Sequence, residues 1–159
     1  MKNNEKTNVM RILTQHKIEY KAYYYGDGAA LSGAEVAAEL GQDPDHVFKT
    51  LVAVGKTKEH YVFMVPVEAE LDLKKAAQAA GEKNIEMIKQ KELLPLTGYV
   101  HGGCSPIGMK KQFKTVIDES AQNFDTIFFS AGKIGAQVEV APKELAEMIG
   151  ASFAELVCG

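Results

Sequence analysis

The sequence contains no tryptophan and only two cysteines, Cys104 and Cys158. The first lies in a glycine-rich segment and the second is close to the end of the sequence, so the pair does not form a disulfide framework. Such sparse use of cysteine is typical of proteins that fold in a reducing compartment.

Long apolar runs are also missing. No segment approaches the roughly 18 apolar residues that a membrane span requires. The first six residues carry charge without an apolar stretch behind them, which is unlike a signal peptide. We therefore expect a soluble, cytoplasmic protein that has no membrane partner.

The chain lacks a strong excess of charge, because its formal net charge is −3. This balance argues against nucleic-acid binding by bulk charge, but it leaves room for a local basic face. The paired spacing of a metal site is absent among the four histidines, which are His16, His46, His60 and His101. We expect neither a metal nor another cofactor.

Of the 159 residues, 46% are hydrophobic and 25% are charged, which is the ordinary balance of a globular domain. We find no linker, repeat or low-complexity segment, so we predict a single domain over residues 1–159. A chain of this length buries enough apolar surface to fold without a metal or a disulfide.

Helix and strand signals are mixed along the chain. Apolar spacing and capping residues predict helices at 7–16, 32–40, 43–46, 72–80, 89–94 and 142–149. Pro95 is expected to stop the fifth of these helices. Strands are predicted at 19–25, 48–54, 60–67, 85–88, 115–118, 126–130 and 137–140, and the first of them is expected to end at Gly26-Asp27-Gly28.

The predicted strands do not alternate one for one with helices, which disfavours a doubly wound parallel sheet. The pattern favours an α/β protein of the α+β type. We expect a mixed, partly barrel-like β-sheet surrounded by helices.

Lys49 begins the strand predicted at 48–54. Side chains alternate between the two faces of a strand, and both faces of this one are mostly apolar, so we expect the strand to be central and largely buried. A functional lysine in such a place can have its pKa lowered by about 3–5 units through burial. Alternatively, Lys49 is a strand-end lysine whose ammonium group reaches water.

The segment from Gly102 to Gly108 is the second candidate. Its adjacent glycines let the backbone approach a ligand, and the amides of Gly102, Gly103 and Cys104 could bind a carbonyl oxygen or an oxyanion. The alternative is a tight turn between strands. The segment has neither the Gly-Lys-Ser/Thr ending of a phosphate-binding loop nor the Gly-x-Ser-x-Gly spacing of a nucleophile elbow.

Three other features border this segment. Cys104 would be a nucleophile if His101 reached it, but a buried spectator thiol is the simpler interpretation. Asp118, at a predicted strand end, either orients Lys49 or a substrate amine, or caps a turn. A cluster of lysines follows the glycines and consists of Lys110, Lys111, Lys114 and the later Lys133. These lysines form either a solvated basic face or a set of contacts to phosphate groups.

Taken in order, the motifs resemble those of the YbaK family of Cys-tRNA(Pro) deacylases, which are related to the editing domain inserted in bacterial prolyl-tRNA synthetases. The resemblance covers nearly the whole chain. It is carried by Val47-Phe48-Lys49-Thr50-Leu51, Leu71-Asp72-Leu73-Lys74-Lys75, Thr97-Gly98-Tyr99, Gly102-Gly103-Cys104-Ser105-Pro106-Ile107-Gly108, Ile117-Asp118 and Ser130-Ala131-Gly132-Lys133.

The resemblance implies an enzyme that hydrolyses mischarged tRNA(Pro), with prolyl-tRNA synthetase as a possible partner. It implies that Lys49 is the essential side chain and that the thiol of the substrate attacks its own ester. It implies a substrate-binding set of Tyr25, Thr50, Gly102, Gly103, Ser105, Gly108, Asp118 and Gly132. Two alternatives remain open. The first is a deacylase for Ala-tRNA(Pro) or for another aminoacyl-tRNA. The second is a non-catalytic module that binds tRNA or a synthetase.

Overall fold

The computed structural model describes residues 6–26 and 32–158. Residues 1–5 of the charged amino terminus and most of the turn predicted at Gly26-Asp27-Gly28 therefore lie outside the described residues.

Within that range the chain forms five α-helices and two short 3-10 helices. The helices are α1 (Asn8–Gln15), α2 (Gly33–Leu40), α3 (Leu73–Ala80), α4 (Gln90–Thr97) and α5 (Pro142–Ile149), and the 3-10 helices are Pro44–His46 and Glu119–Asn123. No helix in the described part of the chain is both long enough and apolar enough to cross a membrane.

Side-chain caps explain where three of the α-helices begin. The Thr7 hydroxyl accepts a hydrogen bond at the start of α1, and the Asp72 carboxylate accepts two at the start of α3. Ser32 and Glu35 form a reciprocal capping box at the start of α2, as the sequence predicts. These caps satisfy amide groups that the first turn of a helix leaves without partners.

The fourth helix extends further than predicted, because Pro95 lies inside α4 instead of ending it. Pro95 has no N–H group, so one intrahelical hydrogen bond is missing. The last turn is held by other bonds: the Thr97 hydroxyl donates to the Leu93 carbonyl at 2.8 Å, and the Gly98 amide donates to the Leu94 carbonyl at 2.9 Å. Gly98, in the left-handed conformation, ends the helix.

The strands form two sheets. They are β1 (Lys21–Tyr24), β2 (Phe48–Gly55), β3 (His60–Pro66), β4 (Ile85–Met87), β5 (Lys114–Asp118), β6 (Ile127–Ser130), β7 (Ala136–Val140) and β8 (Ser152–Ala154). The orders are β1-β7-β6 in the antiparallel three-stranded sheet and β4-β2-β3-β5-β8 in the five-stranded sheet, where β5 runs parallel to both of its neighbours.

The two sheets meet where a parallel bridge joins Val47, just before β2, to Phe128 of β6. The largest buried cluster lies between them and includes Phe48, Met64, Phe129 and Val138, with α1 packed against it. Helix α3 covers the opposite face of the five-stranded sheet. The predicted class is thereby confirmed: a mixed, partly closed sheet surrounded by helices.

Candidate active site

A pocket of about 320 Å³ opens where the start of β2 faces the three-stranded sheet. Residues of β2, β6, β7, the start of α2 and the loop after α4 form its walls. Its lining comprises Tyr25, Ser32, Gly33, Val36, Val47, Phe48, Lys49, Thr50, Leu51, Val67, Leu93, His101, Gly102, Cys104, Phe129, Ser130 and Gln137. A pocket of this size is at the small end of the range for ligand sites.

Lys49 is half-buried in the wall of this pocket. It pairs with Val65 in the register of β2 and β3, and β2 has β3 on one side and β4 on the other, so the predicted central position of the strand is confirmed. No other described residue forms an ion pair or a hydrogen bond with the Lys49 ammonium group. The pocket therefore contains a cation that is free to bind a polar group of a ligand.

Thr50, the next residue, also lines the pocket. Its hydroxyl oxygen is buried and has no hydrogen-bond partner among the described residues. Leaving a buried polar group unpaired costs about 1–3 kcal/mol, so a ligand that pairs with this hydroxyl recovers the cost.

The glycine loop contributes Gly102 and Cys104 to the lining of the same pocket. The N–H of Gly103 donates to the carbonyl of Val100 at 3.0 Å, so it is not available to a substrate oxygen. The N–H groups of Gly102 and Cys104 have no acceptor among the described residues. The amides that could bind a ligand oxygen are therefore those of Gly102 and Cys104, two of the three that the sequence predicts.

Gly103 has a packing role in this arrangement. A Cβ atom at this position would lie 3.0 Å from the backbone nitrogen of Ile134 and 3.1 Å from the carbonyl carbon of Lys133. Two loops thus approach each other closely at Gly103, and a side chain there would force them apart by a few tenths of an ångström.

Cys104 lines the pocket but is a poor nucleophile. Its thiol is buried, and burial raises its pKa to about 12. The neighbouring His101 is exposed and forms no hydrogen bond with it among the described residues. Because a thiolate is the reactive form, the structure supports the interpretation of Cys104 as a spectator.

Tyr25 is the remaining predicted residue that the pocket brings together with Lys49. Its backbone amide donates to the carbonyl of Gly135 at 3.0 Å, and burial raises the pKa of its phenol. The Tyr25 hydroxyl is therefore protonated at neutral pH and can serve as a donor to a ligand.

Three other predicted residues lie behind the pocket wall. Ser105 is fully buried, and its hydroxyl accepts from the Ile107 amide at 3.4 Å. Gly108 and Gly132 both pack against the ring of Tyr99, whose hydroxyl donates to the Ile107 carbonyl at 2.5 Å. None of the three lines the pocket. Their observed contacts hold the glycine loop in place.

Asp118 is also outside the pocket, at the carboxyl end of β5. Its carboxylate accepts from the Ser120 hydroxyl at 2.6 Å, the Ser120 amide at 3.2 Å and the Leu156 amide at 2.9 Å. These are the contacts of a helix cap, which is the second of the two interpretations considered for this residue. They attach the segment after β8 to the end of β5.

Gln137 of β7 is a pocket residue that sequence reasoning missed. It is only 3% exposed, and its side-chain oxygen accepts a hydrogen bond from Nε2 of Gln42 at 2.7 Å. A polar residue in an otherwise apolar strand is a signal that could have singled it out. Nothing in the sequence shows that this strand faces Lys49.

The lysines of the predicted basic group do not line the pocket. Lys110, Lys111 and Lys114 are exposed, and Lys133 is half-buried in the loop that packs on Gly103. Lys111 lies over the ring of Phe113, 5.9 Å from its centroid. Among the described residues, no group of three His, Cys, Asp or Glu side chains is placed to hold a metal ion.

Comparison with known proteins agrees with this architecture. The sequence profile of the aminoacyl-tRNA editing domain matches residues 28–148. A protein of Enterococcus faecalis named as a candidate Cys-tRNA(Pro)/Cys-tRNA(Cys) deacylase, EbsC, is 47% identical over 98% of this chain and 95% of its own length. Proline–tRNA ligase of Pelobacter propionicus is 34% identical over 54% of this chain and 15% of the ligase.

A solved structure described as a candidate trans-editing enzyme for prolyl tRNA synthetase superimposes with a TM-score of 0.82 at 26% identity, covering 98% of this chain and all of that chain. The family match spans most of the sequence, and the structural match includes both sheets. The predicted resemblance is confirmed, and the chain belongs to the aminoacyl-tRNA editing domain family.

Proposed function

We propose that this protein is a cytoplasmic deacylase that hydrolyses Cys-tRNA(Pro), acting in trans to prolyl-tRNA synthetase. The observation that carries the proposal is the Lys49 ammonium group, which has no partner among the described residues and lies in a small pocket of an aminoacyl-tRNA editing domain. The relatives named for Cys-tRNA deacylation and for prolyl-tRNA ligation support the choice of amino acid and of tRNA.

The need for such an enzyme follows from size. Cysteine and alanine are no larger than proline, and one methylene of difference gives a synthetase pocket only about 1–3 kcal/mol of discrimination. A second hydrolytic site that accepts the smaller residue then removes the error.

In the proposed reaction the substrate supplies its own nucleophile. The cysteinyl sulfur forms a bond to the ester carbonyl carbon, the carbon–oxygen bond to the ribose breaks, and the thiol proton passes to the ribose oxygen. Water then hydrolyses the resulting thiolactone to free cysteine. This route agrees with a pocket in which the only thiol, Cys104, has a pKa raised to about 12.

The protein contributes position and charge in this scheme. Lys49 and the amides of Gly102 and Cys104 are the donors that would stabilise negative charge on the carbonyl oxygen. The Thr50 hydroxyl, which has no partner among the described residues, is placed to orient the aminoacyl group.

The first test is Lys49→Ala assayed on Cys-, Ala- and Ser-charged tRNA(Pro). Because loss of one charge-stabilising donor typically costs about 10²- to 10³-fold in rate, we expect a drop of that order with an unchanged melting temperature. Lys56→Ala, an exposed lysine at the other end of the same hairpin, is the matched control.

Two outcomes would contradict the proposal. Full activity of Lys49→Ala removes Lys49 from the chemistry. Faster hydrolysis of Ala- or Ser-tRNA(Pro) than of Cys-tRNA(Pro) by the wild-type protein excludes attack by the substrate thiol, because neither substrate carries one. Binding without turnover on every substrate identifies a non-catalytic module.

We further propose that Lys110, Lys111 and Lys114, with Lys133, contact tRNA phosphates. Replacing the three exposed lysines by alanine should make tRNA binding less sensitive to salt. The slope of the logarithm of the tRNA association constant against the logarithm of the salt concentration should fall in magnitude by roughly 2, measured between 50 and 200 mM salt. The matched control replaces three exposed lysines on other elements, Lys74, Lys83 and Lys143. Equal slopes in the two triple variants would place the tRNA elsewhere.

A further inference from the structure

The side chain of Gln137, buried in the pocket lining, forms an amide pair with the half-buried side chain of Gln42. Gln42 follows the end of α2, where its backbone amide donates to the Ala37 carbonyl at 2.8 Å. Gln137 lies on β7, between β1 and β6, with its side chain in the pocket lining. The hydrogen bond between them, 2.7 Å long, joins α2 to the three-stranded sheet.

The pair leaves polar atoms unpaired. Gln42 Oε1 is buried and has no hydrogen-bond partner among the described residues. Gln137 Nε2 carries two N–H groups and donates to no described residue, although Gln137 as a whole is only 3% exposed. Polar groups in native proteins normally have partners, so an oxygen of a ligand in the pocket is a candidate acceptor for Nε2.

The hydrogen bond from Gln42 decides which end of the Gln137 amide is available. Because the Gln137 oxygen already accepts from Gln42, the nitrogen remains for the pocket. Gln137 therefore presents hydrogen-bond donors that carry no charge, in the pocket that contains Lys49.

We propose that Gln137 is a substrate-binding residue, which donates from Nε2 to an oxygen of the aminoacylated ribose, and that Gln42 is the positioning residue that orients it. This inference rests on the proposed function. The substrate offers two uncharged acceptors of this kind, the ester carbonyl oxygen and the free hydroxyl beside the ester. Both take a hydrogen bond from a neutral amide, which would fix the rotation of the ester relative to Lys49.

The test uses kcat/KM for Cys-tRNA(Pro) in variants that keep the length of the side chain. Gln137→Met removes the donor, and we expect a loss of roughly 3- to 10-fold, the effect of one hydrogen bond. Gln42→Met should cost roughly 2- to 3-fold, since Gln137 loses its orientation. Gln78→Met, on the exposed side of α3, should equal the wild-type protein.

Coupling separates this role from a purely structural one. If Gln42 acts through Gln137, the double variant loses no more kcat/KM than Gln137→Met alone. Gln137→Glu at pH 8 keeps the shape of the side chain but has no N–H group, so it should be at least as impaired as Gln137→Met.

A modified substrate identifies which oxygen accepts from Gln137. A tRNA that ends in 2′- or 3′-deoxyadenosine lacks the free hydroxyl beside the ester. If that hydroxyl is the acceptor, Gln137→Met should have no effect on this substrate, whereas the effect should persist if the ester carbonyl oxygen is the acceptor.

Two results would overturn the inference: wild-type kcat/KM in Gln137→Met or Gln137→Glu, or losses in Gln42→Met and Gln137→Met that simply multiply in the double variant. An inactive wild-type protein would instead refute the proposed function. Thermal unfolding of each variant shows whether a loss of activity reflects a loss of folded protein.

Discussion

The two halves of the segment from Gly102 to Gly108 have opposite environments. Gly102 and Cys104 line the pocket, and their amides have no acceptor among the described residues. Ser105 and Ile107 are fully buried, and Gly108 packs against the Tyr99 hydroxyl. One sequence motif thus contains residues of two kinds: those that can contact a ligand and those that hold the first group in place.

The same division applies to all the predicted site residues. Tyr25, Lys49, Thr50 and Gly102 meet in the pocket. Five others have contacts that attach loops to the core, and these are Gly103, Ser105, Gly108, Asp118 and Gly132. Substitutions in the first group should change catalysis at constant stability, whereas substitutions in the second should lower stability first.

Gly108→Ala should give the largest loss of stability. Gly108 has φ +78°, and a Cβ there would lie 2.9 Å from the Tyr99 hydroxyl oxygen and 3.2 Å from Asn8 Nδ2. The backbone conformation costs about 1–2 kcal/mol in a residue with a side chain, and the close contacts bring the expected loss to about 3 kcal/mol. Chemical unfolding measures it.

The control is Gly41→Ala, because Gly41 has φ +68° and nothing within 4 Å of its Cβ position. It carries the cost of the backbone conformation alone, so about 1 kcal/mol is expected. Equal losses at the two glycines would show that the packing on Tyr99 contributes nothing.

Asp118→Ala should cost about 2 kcal/mol of unfolding free energy, since it removes a helix cap and the bond to the Leu156 amide. The deacylation rate of the folded fraction should stay within about twofold of wild type, as expected for a cap. Asp125→Ala, an exposed aspartate in the same region, is the control. A lost rate at unchanged stability would place Asp118 in the active site after all.

Loss of the Cys104 thiol should change activity only slightly. Burial raises the pKa of this thiol to about 12. The thiolate, which is the reactive form, is therefore only about 10⁻⁴ of the Cys104 population at pH 8. Iodoacetamide at pH 8 should therefore modify the exposed Cys158 and leave Cys104 unreacted in the folded protein, as read by mass spectrometry. Cys104→Ala should retain activity within about threefold. Rapid labelling of Cys104 would reveal a reactive thiol.

Local signals in the sequence predicted most of the elements because they depend on neighbours in the chain. The cap at Ser32 and Glu35 involves residues three positions apart, and the hairpin of β2 and β3 needs only a short turn. Pro95 was misjudged because the bonds that hold the end of α4 come from Thr97 and Gly98, after the proline.

Long-range contacts were beyond the reach of one sequence. The short strand β8 has no alternating pattern, and its pairing with β5 bridges more than 30 residues. Gln137 shares a pocket with Lys49 only because the two sheets meet near Val47 and Phe128. The free amides of the glycine loop likewise depend on the Gly103–Val100 turn, which composition does not reveal.

The parallel pairing of β5 with β8 also has a kinetic consequence. Until Ser152–Ala154 is available, one edge of β5 has no strand beside it, although its core residues Val116 and Ile117 are completely buried in the final fold. An open edge of this kind can pair with another chain, and distant pairings form slowly. During synthesis or refolding, the rate at which this last strand docks should therefore set the time for which the chain is prone to aggregate.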